Sequence, residues 1–425
     1  MIQPIAPFSS DACRRNLRWY LVYRTIFEFS LWYPVWILFL SRGLGLSFTK
    51  IMGLDFFFQI AVVFLEIPTG VLADTIGRRW ALFWAAVMMA IAVGLLGLAV
   101  SAWWVLASFS FWALGVTMLN GADAALVYES LLAVRREEEF PRILGKFMSL
   151  VMVGTVVASI LGGWLAGWSY RLTMFGHAAL FPIAVFAALR LREPPRGRTS
   201  SANGPREVIR GMRALVARGR HLRVLLAYSA ALWLVIILAI VYQQPLLVEG
   251  GLTVARIGWF YAAAMLIAAS GPFAFMWVRA RVGMAGALAG AGLTVTASCL
   301  LLAKLPGLWI MLPLVAIQFV ASGIGPVIID GMNRTAGPGN RATVLSLRSV
   351  VTAGVVGPAE IISGWFADRV PLRRIFLAVG VALPLVVGLL MWLWRRSPEL
   401  AGEEIAFPGV AGASPEDGPA PIAPS

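Results

Sequence analysis

Four of the charged side chains inside the long apolar runs of the first half of this chain are candidate sites. Arg24 and Glu28 share the first run, Glu66 lies in the second and Asp123 in the fourth. A charge inside a segment that crosses a bilayer is costly, so such residues mark substrate or ion sites by default. The four-residue spacing places Arg24 and Glu28 on one helix face. An acid in a partly dehydrated place can exchange protons near neutral pH, so Glu28 is the preferred proton carrier.

Amide side chains add candidate substrate contacts in other runs. Gln59 lies in the second run and Gln318 near the middle of the tenth. Gln243 and Gln244 directly precede Pro245 in the seventh run. This order predicts a polar, broken outer segment that suits a substrate contact or an outer gate.

Three further charges inside the runs receive little weight. Asp55 lies only a few residues from the outer end of the second run and is interpreted as hydrated. Arg348 and Glu360 lie in the eleventh run, and the sequence gives neither of them a clear role.

A short turn between the second and third runs carries several residues of special type. It reads Gly70-Val-Leu-Ala-Asp74-Thr-Ile-Gly77-Arg78-Arg79. Asp74 is expected to accept hydrogen bonds from backbone N–H groups at the start of the next helix, where a carboxylate is favoured. The two glycines allow close backbone approach, and Gly77 can adopt a positive φ. Arg78 and Arg79 offer bidentate partners to carboxylates.

This turn resembles the loop between helices 2 and 3 of the major facilitator superfamily of secondary transporters, whose pattern is G-x-L-A-D-x-x-G-R-[RK]. The matching residues are Gly70, Leu72, Ala73, Asp74, Gly77, Arg78 and Arg79. Thr75 departs from the family, in which many members carry a basic residue at that place. The resemblance implies an all-α integral membrane fold of twelve transmembrane helices in two pseudo-symmetric six-helix bundles. It also implies alternating access, with spans 1, 4, 7 and 10 lining a central cavity.

The resemblance further implies gate residues at the inner ends of the spans. In the family the Arg of this turn pairs with an acid at the end of span 4, so Arg78 would meet Glu129. In the second half, Asp330 would meet Arg279 or Arg281. Exposed ion pairs contribute only about 0–1 kcal/mol each, which suits a gate that must open.

The same fold would bring Arg24 of span 1 to Asp123 of span 4. Two interpretations of this pair stay open at the level of the sequence. It could be a buried ion pair that only fixes helix packing, or it could contact substrate or take part in proton coupling.

Composition places the chain in a membrane. Of its 425 residues 60% are hydrophobic and 13% charged, whereas a soluble domain holds about a quarter charged residues. The net charge of +14 reflects Arg-rich loops between apolar runs, so topology explains it better than nucleic-acid binding. Two Cys predict no disulfide framework and two His build no zinc site, so we expect no metal and no cofactor.

Runs of about 20 apolar residues predict twelve spans. They are 19–40, 51–72, 80–101, 103–128, 147–167, 171–190, 223–247, 256–278, 284–303, 308–332, 343–365 and 374–395. The predicted organisation is a cytoplasmic lead at 1–18, six-helix bundles at 19–190 and 223–395, a cytoplasmic linker with a basic amphipathic helix at 191–222, and a disordered cytoplasmic tail at 396–425. The positive-inside rule predicts a multi-pass protein of the cell membrane with both termini in the cytoplasm.

A faint internal repeat agrees with two halves. The segment Gly163-Trp-Leu-Ala166 at the end of span 5 recurs as Gly364-Trp-Phe-Ala367 at the end of span 11. Transporter folds are often built from such repeats.

The leading functional interpretation is secondary active transport. The chain has no G-x-x-x-x-G-K-[ST] motif for an ATP motor, so an ion or substrate gradient would drive transport. The preferred mode is proton-coupled export of a small organic compound, as in drug or metabolite efflux. The alternative is metabolite uptake by symport or uniport. An integral-membrane enzyme would need a nucleophile–base pair or metal cluster, and a non-transporting sensor would need a structured soluble domain. We expect a monomer whose partners are its substrate, protons or another coupling ion, and membrane lipids, with no nucleic acid.

Overall fold

The computed structural model describes residues 8–195, 219–336 and 341–396, and every regular element within them is helical. The first part of the predicted lead, the amphipathic helix of the linker and nearly all of the predicted disordered tail lie outside these residues.

The helices fall into two groups on either side of the linker. The first group is α1 Ser10–Glu28, α2 Trp36–Leu38, α3 Phe48–Ile76, α4 Arg78–Leu98, α5 Ala102–Asn120, α6 Asp123–Leu132, α7 Phe140–Ala166, α8 Tyr170–Ala178 and α9 Phe181–Arg190. The second group is α10 Arg220–Glu249, α11 Val254–Ala268, α12 Gly271–Lys304, α13 Met311–Ala336, α14 Arg341–Ala367 and α15 Leu372–Arg395.

Ten stretches of the described chain are long and apolar enough to cross a membrane. One of them, Val254–Lys304, has 51 residues and would be roughly 75 Å long as one helix, against a hydrocarbon core of about 30 Å. It contains a non-helical residue at Gly283, with φ 73° and ψ 179°, and so comprises two crossings. The predicted first span is broken in the structure, and its pieces supply a further crossing. The architecture is therefore consistent with the predicted twelve spans.

The break in the first span corrects the prediction of a continuous helix over 19–40. Helix α1 ends at Glu28, and the chain resumes as a tight turn at Tyr33–Val35. Pro34 explains the break, because proline lacks an N–H group and its ring would clash with the carbonyl four residues earlier in a continuous helix.

A second correction concerns the predicted broken segment at Pro245. Helix α10 runs without interruption from Arg220 to Glu249, with Pro245 inside it. The amide side chains beside it make the contacts described below.

The two halves meet mainly at one end of the molecule. We call the end that carries Gly77 and Gly283 the motif face, and the end that carries residues 250–253 and 368–371 the opposite face. Near the opposite face α7 packs on α11, where a Cβ added to Gly163 would lie 2.6 Å from the backbone nitrogen of Gly258. Helix α3 packs on α14 at Gly364, where an added Cβ would lie 2.7 Å from a backbone oxygen of α3. Glycines thus let the halves close tightly at this face.

Candidate functional site

The turn between α3 and α4 is capped by an acid that the sequence prediction did not name. Gly77 has φ 103°, and a Cβ there would come within 2.8 Å of the Glu193 carboxyl group. Glu193 accepts hydrogen bonds from the backbone N–H groups of Arg78 at 2.7 Å and Arg79 at 3.0 Å. The prediction that Asp74 fills this place is wrong, because Asp74 lies before the turn and pairs with the Arg78 side chain. The positive end of α4 still binds a carboxylate.

Arg78 joins three helices at the motif face of the first half. Its guanidinium lies 2.7 Å from Asp74 and 3.4 Å from Glu129, the contact that the resemblance implied. It also donates to the carbonyl of Gly121 at 3.0 Å, and its side chain is only 10% exposed. The backbone of Gly70 lies against Gly121, where an added Cβ would be 3.5 Å from the Gly70 Cα. These contacts fasten α3, α4 and the α5–α6 junction together.

Arg79 has a different role from its neighbour. It donates to the backbone carbonyl of Leu189 at 2.8 Å, and its guanidinium lies over the ring of Trp80. It therefore ties α4 to the end of α9.

The second half has an equivalent ion pair at the motif face. Of the two predicted alternatives, Arg279 is the partner of Asp330, at 2.5 Å. Arg334 adds a second contact to the same carboxylate at 2.9 Å, while Arg281 lies over the ring of Trp277. The cation here precedes the positive-φ glycine of the turn, whereas in the first half it follows that glycine. Both pairs stay within one half.

Arg24 lies between two carboxylates. Its guanidinium is 2.9 Å from Glu28 and 3.6 Å from Asp123, so the predicted contact between spans 1 and 4 is present. Glu28 is 40% exposed, whereas Arg24 and Asp123 are 16% and 17% exposed. Among the described residues, Nε and Nη1 of Arg24 have no hydrogen-bond partner. When both acids are ionised, the trio has one surplus negative charge and unused donors.

The amides of α10 are buried in the contact between the halves. Gln244 accepts hydrogen bonds from the N–H groups of Ile37 at 3.0 Å and Leu38 at 3.3 Å, and donates to the carbonyl of Tyr33 at 3.0 Å. These are groups freed by the break in the first span. Gln244 therefore holds the broken span against the other half, and its role in an outer gate stays a prediction.

Gln243 and Gln318 bind each other. The Gln318 amide donates to the Gln243 side-chain oxygen at 2.7 Å, and Gln243 donates to the carbonyl of Ile240. Gln243 is only 1% exposed. In this conformation the pair links α10 to α13.

Asp368 forms a clasp across the opposite face that the sequence analysis missed. Its carboxylate accepts from the backbone N–H of Phe48 at 2.6 Å, and from the backbone and hydroxyl of Thr49 at 3.0 and 2.6 Å. Burial alone would raise the pKa of Asp368, but these hydrogen bonds outweigh it and lower the pKa below its ordinary value. The clasp caps α3 with an acid from the other half. Its partners are about 320 residues apart in sequence, so no local pattern could reveal it.

A second unpredicted contact lies deeper between α3 and α14. The Gln59 amide donates to Asp55 and to Glu360, both at 2.8 Å. Glu360 is fully buried. The interpretation of Asp55 as simply hydrated is therefore wrong, because it shares a buried polar contact with the other half.

A cavity of about 360 Å³ lies between the halves on the motif-face side of this contact. Its walls are mainly apolar, with one guanidinium, one amide and two hydroxyl groups. They comprise Phe58, Gln59, Val62, Val63, Trp233, Arg348, Ser349, Thr352 and Ala353. Arg348, which received little weight from the sequence, donates to the Ser229 hydroxyl at 3.2 Å. Glu66 is exposed on α3 and is not part of these walls. An aromatic, largely apolar cavity with few polar groups suits a small organic ligand.

Comparison with known proteins identifies the type of chain. A model of the Major Facilitator Superfamily matches residues 25–359. The protein named "Multidrug resistance protein MdtH" of Enterobacter sp. (strain 638) is 24% identical over 361 residues, covering 80% of this chain and 83% of the relative. The protein of the same name from Salmonella typhi is 28% identical over 204 residues, or 47% of each chain. The chain thus spans about half the length of that relative.

Solved structures share the fold at low identity. The nucleoside transporter NupG superposes with a TM-score of 0.73 at 12% identity, covering 91% of this chain and 99% of that chain. An inward-facing, occupied bacterial homolog of the human lysosomal transporter Spinster superposes with a TM-score of 0.67 at 17% identity, covering 92% and 98%.

Proposed function

Since the chain belongs to the major facilitator superfamily, we propose that it is a secondary active transporter that exports small organic compounds in exchange for protons. The observation that carries this proposal is the trio of Arg24, Glu28 and Asp123, with its surplus negative charge, in a protein whose halves close at the opposite face. The relatives named as multidrug resistance proteins support export.

The trio offers a way to couple a compound to a proton. Either a proton or a cationic group on a compound can neutralise its surplus charge, so the two compete for one site. Glu28 is the more exposed of the two acids and is the proton carrier, whereas Asp123 stays against Arg24. Competition for one site gives exchange, because the site changes its access from one side of the membrane to the other with only one of the two ligands bound.

The orientation of the protein in the membrane is inferred from the positions of its basic residues. The motif face carries Arg78 and Arg79 and the loop with Arg135 and Arg136, and basic loops favour the cytoplasm. We therefore place the motif face and both termini in the cytoplasm. The structure then corresponds to a conformation closed toward the outside, in a chain that works as a monomer.

The test is proton flux in proteoliposomes with an imposed pH gradient, during addition of a panel of cationic and neutral amphipathic dyes. A compound that enters through the protein should drive proton movement in the wild type. Glu28→Gln should abolish that movement and Asp123→Asn should reduce it strongly. Asp11→Asn is the matched control, since Asp11 is an exposed acid in the lead and its side chain is 84% exposed.

Two outcomes would contradict the proposal. If dyes cross with no proton movement, the protein is a uniporter or uses another ion, and Glu28 only packs against Arg24. If Glu28→Gln behaves as Asp11→Asn does, the proton is carried elsewhere.

A further inference from the structure

A pair of acids from the two halves meets between α3 and α14 without a cation. Asp55 and Glu360 both accept from the single amide nitrogen of Gln59, at 2.8 Å each, and the two carboxyl groups lie within hydrogen-bonding reach of each other. The ion pairs found among the described residues include neither acid.

Because the pair is buried, its charge strongly affects the stability of the contact between α3 and α14. Glu360 is 0% exposed, and its Oε1 has no hydrogen-bond partner among the described residues. A buried carboxylate without a cation is costly, and two adjacent carboxylates cannot both stay ionised at moderate cost. One proton shared by the pair removes the repulsion and supplies the missing donor.

Among the described residues, no ion pair supplies a cation to these two acids. On α10, the Tyr242 hydroxyl is hydrogen-bonded to Ser363, one turn from Glu360. Asp368 directly follows the end of α14 and is held by its own clasp to α3. Gly357 of α14 lies against the ring of Phe56, and a Cβ added at Gly357 would lie 2.0 Å from a carbon of that ring. The helices therefore pack tightly beside the acids.

We propose that Asp55, Gln59 and Glu360 form a proton-dependent latch, in which one proton shared by the two carboxyl groups holds the halves together at the opposite face. Loss of the proton leaves two facing carboxylates, and their repulsion parts α3 from α14. Gln59 also lines the cavity between the halves, and in this proposal the proton leaves toward the motif face through that cavity while the opposite face is closed. Once the halves part, the acids face the other side and take up a proton there.

This latch deepens the proposed function and rests on it, because it ties closure of the opposite face to a second proton, besides the one that competes with the compound at the trio around Arg24. A proton bound from the opposite face closes that face and leaves through the cavity. The unprotonated latch then favours reopening, which carries the compound outward. The latch is a site distinct from the trio around Arg24.

The test measures the distance between spin labels across the opposite face. Labels are placed at Lys50 and Arg369, which are exposed at the ends of α3 and α14, with both native cysteines replaced by Ala. In proteoliposomes without any compound, the ratio of closed to open protein should fall with rising pH between 5 and 9. One linked proton gives a change of up to about tenfold for each pH unit. Glu360→Gln and Asp55→Asn should keep the short distance at every pH.

The comparison variant is Asp368→Asn, which weakens a neighbouring contact: it should lower the ratio of closed to open protein but keep the fall of that ratio with rising pH. The proposal is overturned if the label distance in the wild type does not change with pH, or if the latch variants respond to pH as the wild type does. A wild-type distance distribution in the variants at pH 5 shows that they are folded. Because no compound is present, a failed latch is distinguished from a failure of proton-coupled export, which the flux assay measures separately.

Discussion

Replacing Gly258 by Ala should open the opposite face. A Cβ at Gly258 would lie 2.1 Å from the carbonyl oxygen of Ser159 and 3.1 Å from the Gly163 Cα. Both neighbours belong to the backbone of α7, so neither can rotate away and the two helices must separate. Overpacking of this kind costs about 1–3 kcal/mol.

The cost falls on one conformation only, because α7 and α11 belong to different halves and part when the face opens. The ratio of closed to open protein should therefore fall roughly 5- to 150-fold. Spin labels at Trp168 and Arg256, both exposed beside this contact, would report the change as a longer distance at pH 5.

The matched control is Gly53→Ala. Gly53 lies on α3 near the same face, and a Cβ there would meet nothing within 4 Å, so the distance distribution should not change. If Gly258→Ala also keeps the distribution of the wild type, the glycine contact does not set the closed conformation and the reasoning from close packing is refuted.

Three further substitutions test other contacts. Glu193→Ala should lower the thermal unfolding temperature in detergent, since removal of a helix cap costs about 0.5–2 kcal/mol and the N–H groups of Arg78 and Arg79 lose their acceptor; an unchanged temperature would contradict the capping role. The pKa of Asp368 is lowered in the closed form, so its clasp stabilises that form fully above the ordinary pKa, and this stabilisation is lost as the pH falls through the lowered pKa. Asp368→Asn should therefore lengthen the label distance at neutral pH. An acid-induced opening that survives in this variant would refute the assignment. Arg348→Gln should weaken binding of compounds that carry an acidic group and spare neutral ones, as measured by tryptophan quenching, and equal losses for both would argue against a cavity contact.

Much of the architecture could be predicted from local patterns in the sequence. Apolar runs predicted an all-helical membrane fold, and the family resemblance implied the pair Arg78–Glu129 and a pair of Asp330 with Arg279 or Arg281, of which the structure shows Arg279. These inferences worked because each depends on residue types close together in sequence or on a pattern shared by a family. The break before Pro34 was also visible in the sequence, but the length of the apolar run concealed it.

The contacts between the halves could not be predicted in the same way. Asp368 binds the start of α3, and Glu360 meets Asp55 through Gln59, over separations of about 300 residues. Their partners depend on how two bundles dock, which hydropathy and helical spacing do not encode. Glu193 likewise caps α4 from more than 100 residues away and lies in a segment that looks like a linker.

The described contacts fall into those within one half, which stay intact when the halves rotate, and those between the halves, which must break. The motif-face ion pairs of Arg78 and Arg279 lie within single halves, so each half can rotate without breaking them. Among the described residues, the polar contacts that join the halves include the Asp368 clasp, the bonds of Gln244 to the broken span, and the latch of Asp55, Gln59 and Glu360. A Gln side chain does not titrate, and the lowered pKa of Asp368 keeps it ionised near neutral pH. The latch is the contact in which two acids share one proton, which is why we assign it the control of opening at the opposite face.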